Sequence, residues 1–181
     1  MKKTLLMIVL MLSVVMANAQ EEHMKFAGIP LTGTIDKFQS KLIAKGYELN
    51  SYINKRLPKG LRAFNGTFIG KDANVSVFYD TSTSVVYGAK VYFDNLNEER
   101  ANNEFENVKY LLKEKYTDGV FNEETKNDLP AFTIATRLGA IYGYINKNED
   151  LTGYPYHFTV NLEYYDFKNN EKHNSSVMDD L

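Results

Sequence analysis

His157 and Glu163 are the residues whose types suggest chemistry first, an imidazole and a carboxylate on the same face of what reads as one strand. Six positions of extended chain hold them about 20 Å apart, so they cannot share a proton. A working metal site wants three or four convergent ligands, and the other histidines, His23 and His173, fall in a polar leader and a polar tail. The carboxylates at Glu98, Glu99, Glu104, Glu106, Glu123, Glu124, Asp128, Asp179 and Asp180 read as helix electrostatics or solvated loop. Residues 146–153 carry oxygen groups without the alternation around a glycine that a calcium loop needs. Residues 65–72 contain Gly70-Lys71, but Asn65 and Asp72 stand where a phosphate loop needs glycine and Ser/Thr, so the stretch reads as a hairpin. No G-x-S-x-G, H-E-x-x-H or G-x-G-x-x-G occurs. No cysteine occurs either, which excludes thiol catalysis, thiolate zinc sites and iron–sulfur clusters. These readings imply no metal, no cofactor and no catalytic residue.

Recognition chemistry is better represented. The chain has 13 Tyr, 11 Phe and no Trp. Phe78, Tyr92 and Tyr165 have the parity opposite to the apolar positions of their strands, together with Asn65, Thr67, Asn74, Ser76, Lys90, Thr133, His157, Thr159, Asn161 and Glu163. If helices cover one sheet face, alternation puts this set on the other. Tyrosine among small polar groups gives contact area at low entropic cost. The expected binding residues are Phe78, Lys90, Tyr92, His157, Asn161 and Tyr165; burial under a second layer or a dimer partner is the competing reading.

The elements that must position them follow from periodicity. Ile35, Phe38, Leu42 and Ile43 share one face of a short helix that Thr34 can cap and Lys45-Gly46 ends. Strand-like runs follow at 63–70, 73–80 and 84–94, with Phe64/Phe68, Val75/Val77/Tyr79 and Val85/Tyr87/Ala89/Val91/Phe93 on the buried parity and Lys71-Asp72 and Thr81-Ser82-Thr83 as hairpin separators. The pattern then restarts. A helix over 97–116 carries Ala101, Phe105, Val108, Leu111 and Leu112 on its 3.6-residue period, a polar stretch spans 122–129, and runs at 130–137, 139–147 and 154–166 complete the second half. This order predicts an α+β fold of two tandem units, each a helix plus three or four strands, forming one antiparallel, curved sheet with helices on one face. The units span about 26–95 and 96–167 of a single domain at 26–167.

Outside the domain, Met1-Lys2-Lys3, the apolar run 5–16 and Ala17-Asn18-Ala19 read as a secretory signal over 1–19, cleaved before Gln20. That run is short of the roughly 20 apolar residues a spanning helix needs. A polar leader at 20–25 and a mobile polar tail at 168–181 flank the domain, and the lack of cysteine leaves no lipid attachment point. The composition, 44% hydrophobic and 24% charged, is that of a folded protein. Twenty-one basic against 23 acidic residues, without a basic stripe, argue against nucleic acid.

The opening from Met24 to Thr34, the helix end Lys45-Gly46-Tyr47 and the second helix end from Leu112 to Tyr116 resemble uncharacterised exported bacterial proteins of the β-lactamase-inhibitor-protein-like group. The resemblance covers roughly 24–167. It implies a curved sheet with helices on the convex side and a concave face free for binding, which in the inhibitor holds a protein partner. The inhibitor's modules carry disulfides and this chain has none, so no functional residue is carried over. The expected function is that of a periplasmic or secreted, non-catalytic binding module for an unknown protein or envelope ligand, with no transmembrane segment. The alternative is a small exported hydrolase.

Overall fold

Alternation of apolar and polar residues, sustained over two successive sets of strands, produces one eight-stranded antiparallel sheet. The computed structural model describes residues 22–148 and 157–179; the segment read as a secretory signal and residues 154–156 of the last strand run lie outside the described residues. A two-stranded ribbon, β1 (Lys25–Phe26) and β2 (Ile29–Pro30), opens the chain. Then come α1 (Ile35–Ala44), β3 (Glu48–Leu49), α2 (Ser51–Asn54), β4 (Leu61–Phe68), β5 (Lys71–Tyr79) and β6 (Val86–Leu96). The second half supplies α3 (Glu98–Lys115), β7 (Val120–Lys126), β8 (Leu129–Ala135), β9 (Gly139–Asn148), β10 (His157–Asp166) and α4 (Phe167–Asp179). The strand order is β3-β4-β5-β6-β10-β9-β8-β7. Each half is a meander, and the two meet last strand to last strand along β6 and β10.

On the helix-side parity Phe64, Val75, Val77, Ala89, Val91, Phe132, Ile134, Ile141, Phe158, Val160, Leu162 and Tyr164 are buried. Phe38 and Leu42 of α1 and Ala101, Phe105, Val108 and Leu112 of α3 close over them, as the 3.6-residue period predicted. Close approach needs glycine where large rings lie flat on the sheet. A Cβ at Gly143 would stand 2.2 Å from the Phe132 ring, which in turn packs 5.4 Å from Phe105. Ile43 and Leu111, expected on the buried faces, are 48% and 41% exposed, because each sits just beyond the arc its helix presents to the sheet. Asn97 caps α3 by accepting from the Arg100 amide. Thr34 occupies the cap position of α1 without a side-chain cap; the Ile35 amide is satisfied instead by the Ser84 carbonyl at 2.9 Å.

Several expectations are corrected. The β4–β5 turn is Ile69-Gly70, both with positive φ, while Lys71 and Asp72 already pair with Phe68 and Thr67. Residues 122–126, expected as a polar stretch, belong to β7, an edge strand whose exposure removes the apolar alternation that would have marked it. The buried parity of β6 breaks because Tyr79 opposes Val86 and Phe78 opposes Gly88, so Val86 is buried and Tyr87 is turned out of the helix-side core. Within the polar leader His23 and Met24 are packed, at 8% and 2% exposure, and the Met24 amide donates to the Asp166 carboxylate at 2.8 Å. Residues 168–179 of the tail expected to be mobile belong to α4. The buried Asp166 starts it by accepting from the Asn169 amide, and Asn169 donates to the carbonyls of Leu31 and Val86.

Candidate functional site

Cross-strand pairing fixes what the other sheet face contains. One row runs Asn74–Tyr92–Asn161–Tyr144 across β5, β6, β10 and β9, and the next runs Ser76–Lys90–Glu163–Tyr142. A third joins Phe78, Gly88 and Tyr165. All six expected binding residues except His157 therefore lie in three adjacent rows, and His157 stands at the upper end of β10 opposite Asn148. Their burial differs. Asn161 is only 2% exposed, its amide donating to the Thr159 carbonyl, whereas Phe78, Lys90, Tyr92, His157 and Tyr165 are half-buried.

Glu163 is the hub of this face. Its Oε1 accepts from the Tyr144 hydroxyl at 2.5 Å and lies 3.4 Å from the Lys90 Nζ; its Oε2 accepts from the Tyr165 hydroxyl at 3.0 Å. Lys90 also donates to the Tyr144 oxygen at 3.0 Å. Burial pushes the Glu163 carboxyl up, but the bond from Tyr144, the Lys90 charge and the bond from Tyr165 together hold it below the ordinary carboxylate value. Tyr144 and Tyr165 move the opposite way: burial first, then the Glu163 carboxylate, pushes both phenols far above their ordinary value. Burial, helped by Asp94, also raises Tyr92.

Rings continue the surface on both sides of the hub. Phe78 and Tyr165 lie on strands separated by β6, yet their rings stack at 5.9 Å because Gly88 stands between them without a side chain; a Cβ there would fall 2.9 Å from Phe78. Tyr142 meets Tyr165 edge to face at 6.0 Å. The Lys126 ammonium sits 3.4 Å over the Tyr144 ring. Tyr87 stacks on His173 of α4 at 4.3 Å, so α4 closes the lower rim of the face.

Two open grooves flank the hub. The lower one, about 390 Å³, is bounded by Tyr142, Tyr144, Tyr165, Lys126 and Glu124. The upper, about 600 Å³, is bounded by Lys90 and Tyr92 on one side and by Asn146, Asn148 and His157 on the other. Tyr142, Tyr144, Lys126, Asp94, Asn95, Asn146 and Asn148 escaped the sequence-based site. For β9 the signal was present, since Tyr142, Tyr144 and Asn146 alternate with Ile141, Gly143 and Ile145. Among the described residues no group of three or more His, Asp or Glu side chains is placed to hold a metal ion, and no helix is long and apolar enough to cross a membrane. No protein-family model matches the chain, and no curated protein or solved structure is significantly similar to it.

Proposed function

We propose that the chain is an exported, non-catalytic binding module that engages its partner or ligand through the sheet face opposite α1 and α3. The observation that carries this reading is the state of the groups at the centre of that face. Glu163, Lys90, Tyr144 and Tyr165 satisfy one another, and the carboxyl is displaced downward and both phenols upward from their ordinary values. A general acid or base works best with a pKa near the operating pH. Groups locked in one protonation state instead present a fixed pattern of donors, acceptors and ring faces, and the half-buried aromatics around them supply contact area at small entropic cost. Export rests on the N-terminal signal pattern, and the resemblance to exported proteins of the β-lactamase-inhibitor-protein-like group accords with a face free for binding.

The test is capture from the native envelope fraction on immobilised wild-type protein, Tyr92→Ala and Tyr165→Ala. Each variant should keep the wild-type circular dichroism and lose about 1–4 kcal/mol of binding. A partner retained undiminished by both variants would place the site elsewhere.

A further inference from the structure

A second break in β6 shapes the upper groove. Phe93 pairs with Val160 and Leu96 with Phe158, so two residues, Asp94 and Asn95, stand against the single Thr159 of β10. Consecutive strand residues normally point to opposite faces. Here the bulge, with Asn95 at φ 56°, lets both border the same groove. Asparagine tolerates that left-handed backbone better than most side chains. Across the groove Asn148 donates to the Thr159 hydroxyl at 2.7 Å, and beside it Asn74 donates to Asp94 at 3.1 Å.

We propose that this groove takes an uncharged, hydroxyl-rich ligand, a neutral oligosaccharide, an inference that rests on the open face being the binding surface. Among the described lining residues the lone ammonium, Lys90, already faces the Glu163 carboxylate at 3.4 Å and Asp94 is negative, so a phosphate or sulfate meets no net attraction there. The remaining polar groups are chiefly amides and hydroxyls. Asn95, Asn146 and Asn148 each present donor and acceptor together, matching a sugar hydroxyl that is both at once. Tyr92 offers a ring edge or face to the apolar side of a pyranose. A peptide would need pockets for alternate side chains, and a lipid would need an apolar wall. None of the described large apolar residues that are exposed borders this groove; Tyr142 borders the other one.

The experiment is titration of the isotope-labelled full chain with cellohexaose, maltohexaose, xylohexaose, laminarihexaose and chitohexaose, followed by amide chemical shifts, with dextran sulfate and an unstructured peptide mixture as contrasts. At least one hexaose should shift the side-chain amides of Asn95, Asn146 and Asn148 saturably. Asn95→Gly, which keeps the backbone the bulge requires, and Asp94→Ala should each weaken that binding about tenfold, the equivalent of one lost hydrogen bond to a polar group. Three outcomes overturn the inference: no hexaose shifts these amides, a hexaose binds both variants as well as wild type, or dextran sulfate or peptide occupies the groove in preference. If peptide or a captured protein moves other residues of the same face while sugars move none, the oligosaccharide inference fails and the open-face reading stands.

Discussion

At the scale of single residues, the open face is organised by Glu163. One carboxylate accepting from Tyr144 and Tyr165 and lying beside Lys90 fixes three side chains from β6, β9 and β10 in one arrangement. Tyr144 is buried and Lys90 and Tyr165 are half-buried, so removing the hub leaves donors that water only partly satisfies. Replacement by Glu163→Gln keeps the shape and removes the charge. Because the carboxylate disfavours the phenolates beside it, the pKa values of Tyr144 and Tyr165 should fall in this variant while burial still holds them above the ordinary tyrosine value. Alkaline absorbance titration reads this directly: the ionisation of Tyr144 and Tyr165 should move to lower pH, while that of the wholly buried Tyr164, raised by burial without Glu163, should stay where it is. An unchanged titration would mean that these hydroxyls are not bonded to Glu163.

At the scale of elements, α4 is held to the sheet by hydrogen bonds rather than by an apolar stripe. Asp80, at the end of the β5–β6 meander, accepts from His173 at 2.8 Å through one oxygen and from the amides and hydroxyls of Ser82 and Thr83 through the other. The bond from His173, followed by that from Ser82, holds its carboxyl far below the usual range. The folded pKa therefore lies below the unfolded value of about 3.9, so this stabilisation is complete above that pH and is lost as pH falls from there towards the folded value. Asp80→Asn should cost about 1–2 kcal/mol at neutral pH, and the gap from wild type in urea denaturation should narrow below about pH 4. A gap that stays constant into stronger acid would contradict the assignment. The same contacts explain what the sequence concealed. Strands with one buried face announced themselves by alternation, and so did the amphipathic faces of α1 and α3; Phe105, Val108 and Leu162 are buried as that pattern required. The helix α4 has no such stripe, and its anchors His173, Asn169 and Asp166 find partners more than 80 positions away for which no local signal exists. The bulge at Tyr87 defeated parity for a related reason, since an extra residue in a strand shifts every later side chain to the other face. Five of the expected site residues shared rows because β5, β10 and the stretch of β6 between its two bulges kept their alternation, while the bulge that brings Asp94 and Asn95 together was invisible.

At the scale of the whole molecule, α1, α3 and the N-terminal ribbon fill one side of the sheet and leave the rows around Glu163 open on the other, with α4 at the rim. The central claim is that this open side, not the helical side, meets the partner. Tyrosine footprinting tests it most directly, because exposed tyrosines report on both sides: Tyr142 on the open face is 41% exposed, and Tyr110 on α3 is 62% exposed. The measurement is their rate of modification by a tyrosine-selective reagent, read by mass spectrometry with and without saturating native envelope extract. Tyr142 should be protected while Tyr110 reacts at an unchanged rate. Protection of Tyr110 with Tyr142 still reactive would contradict the claim.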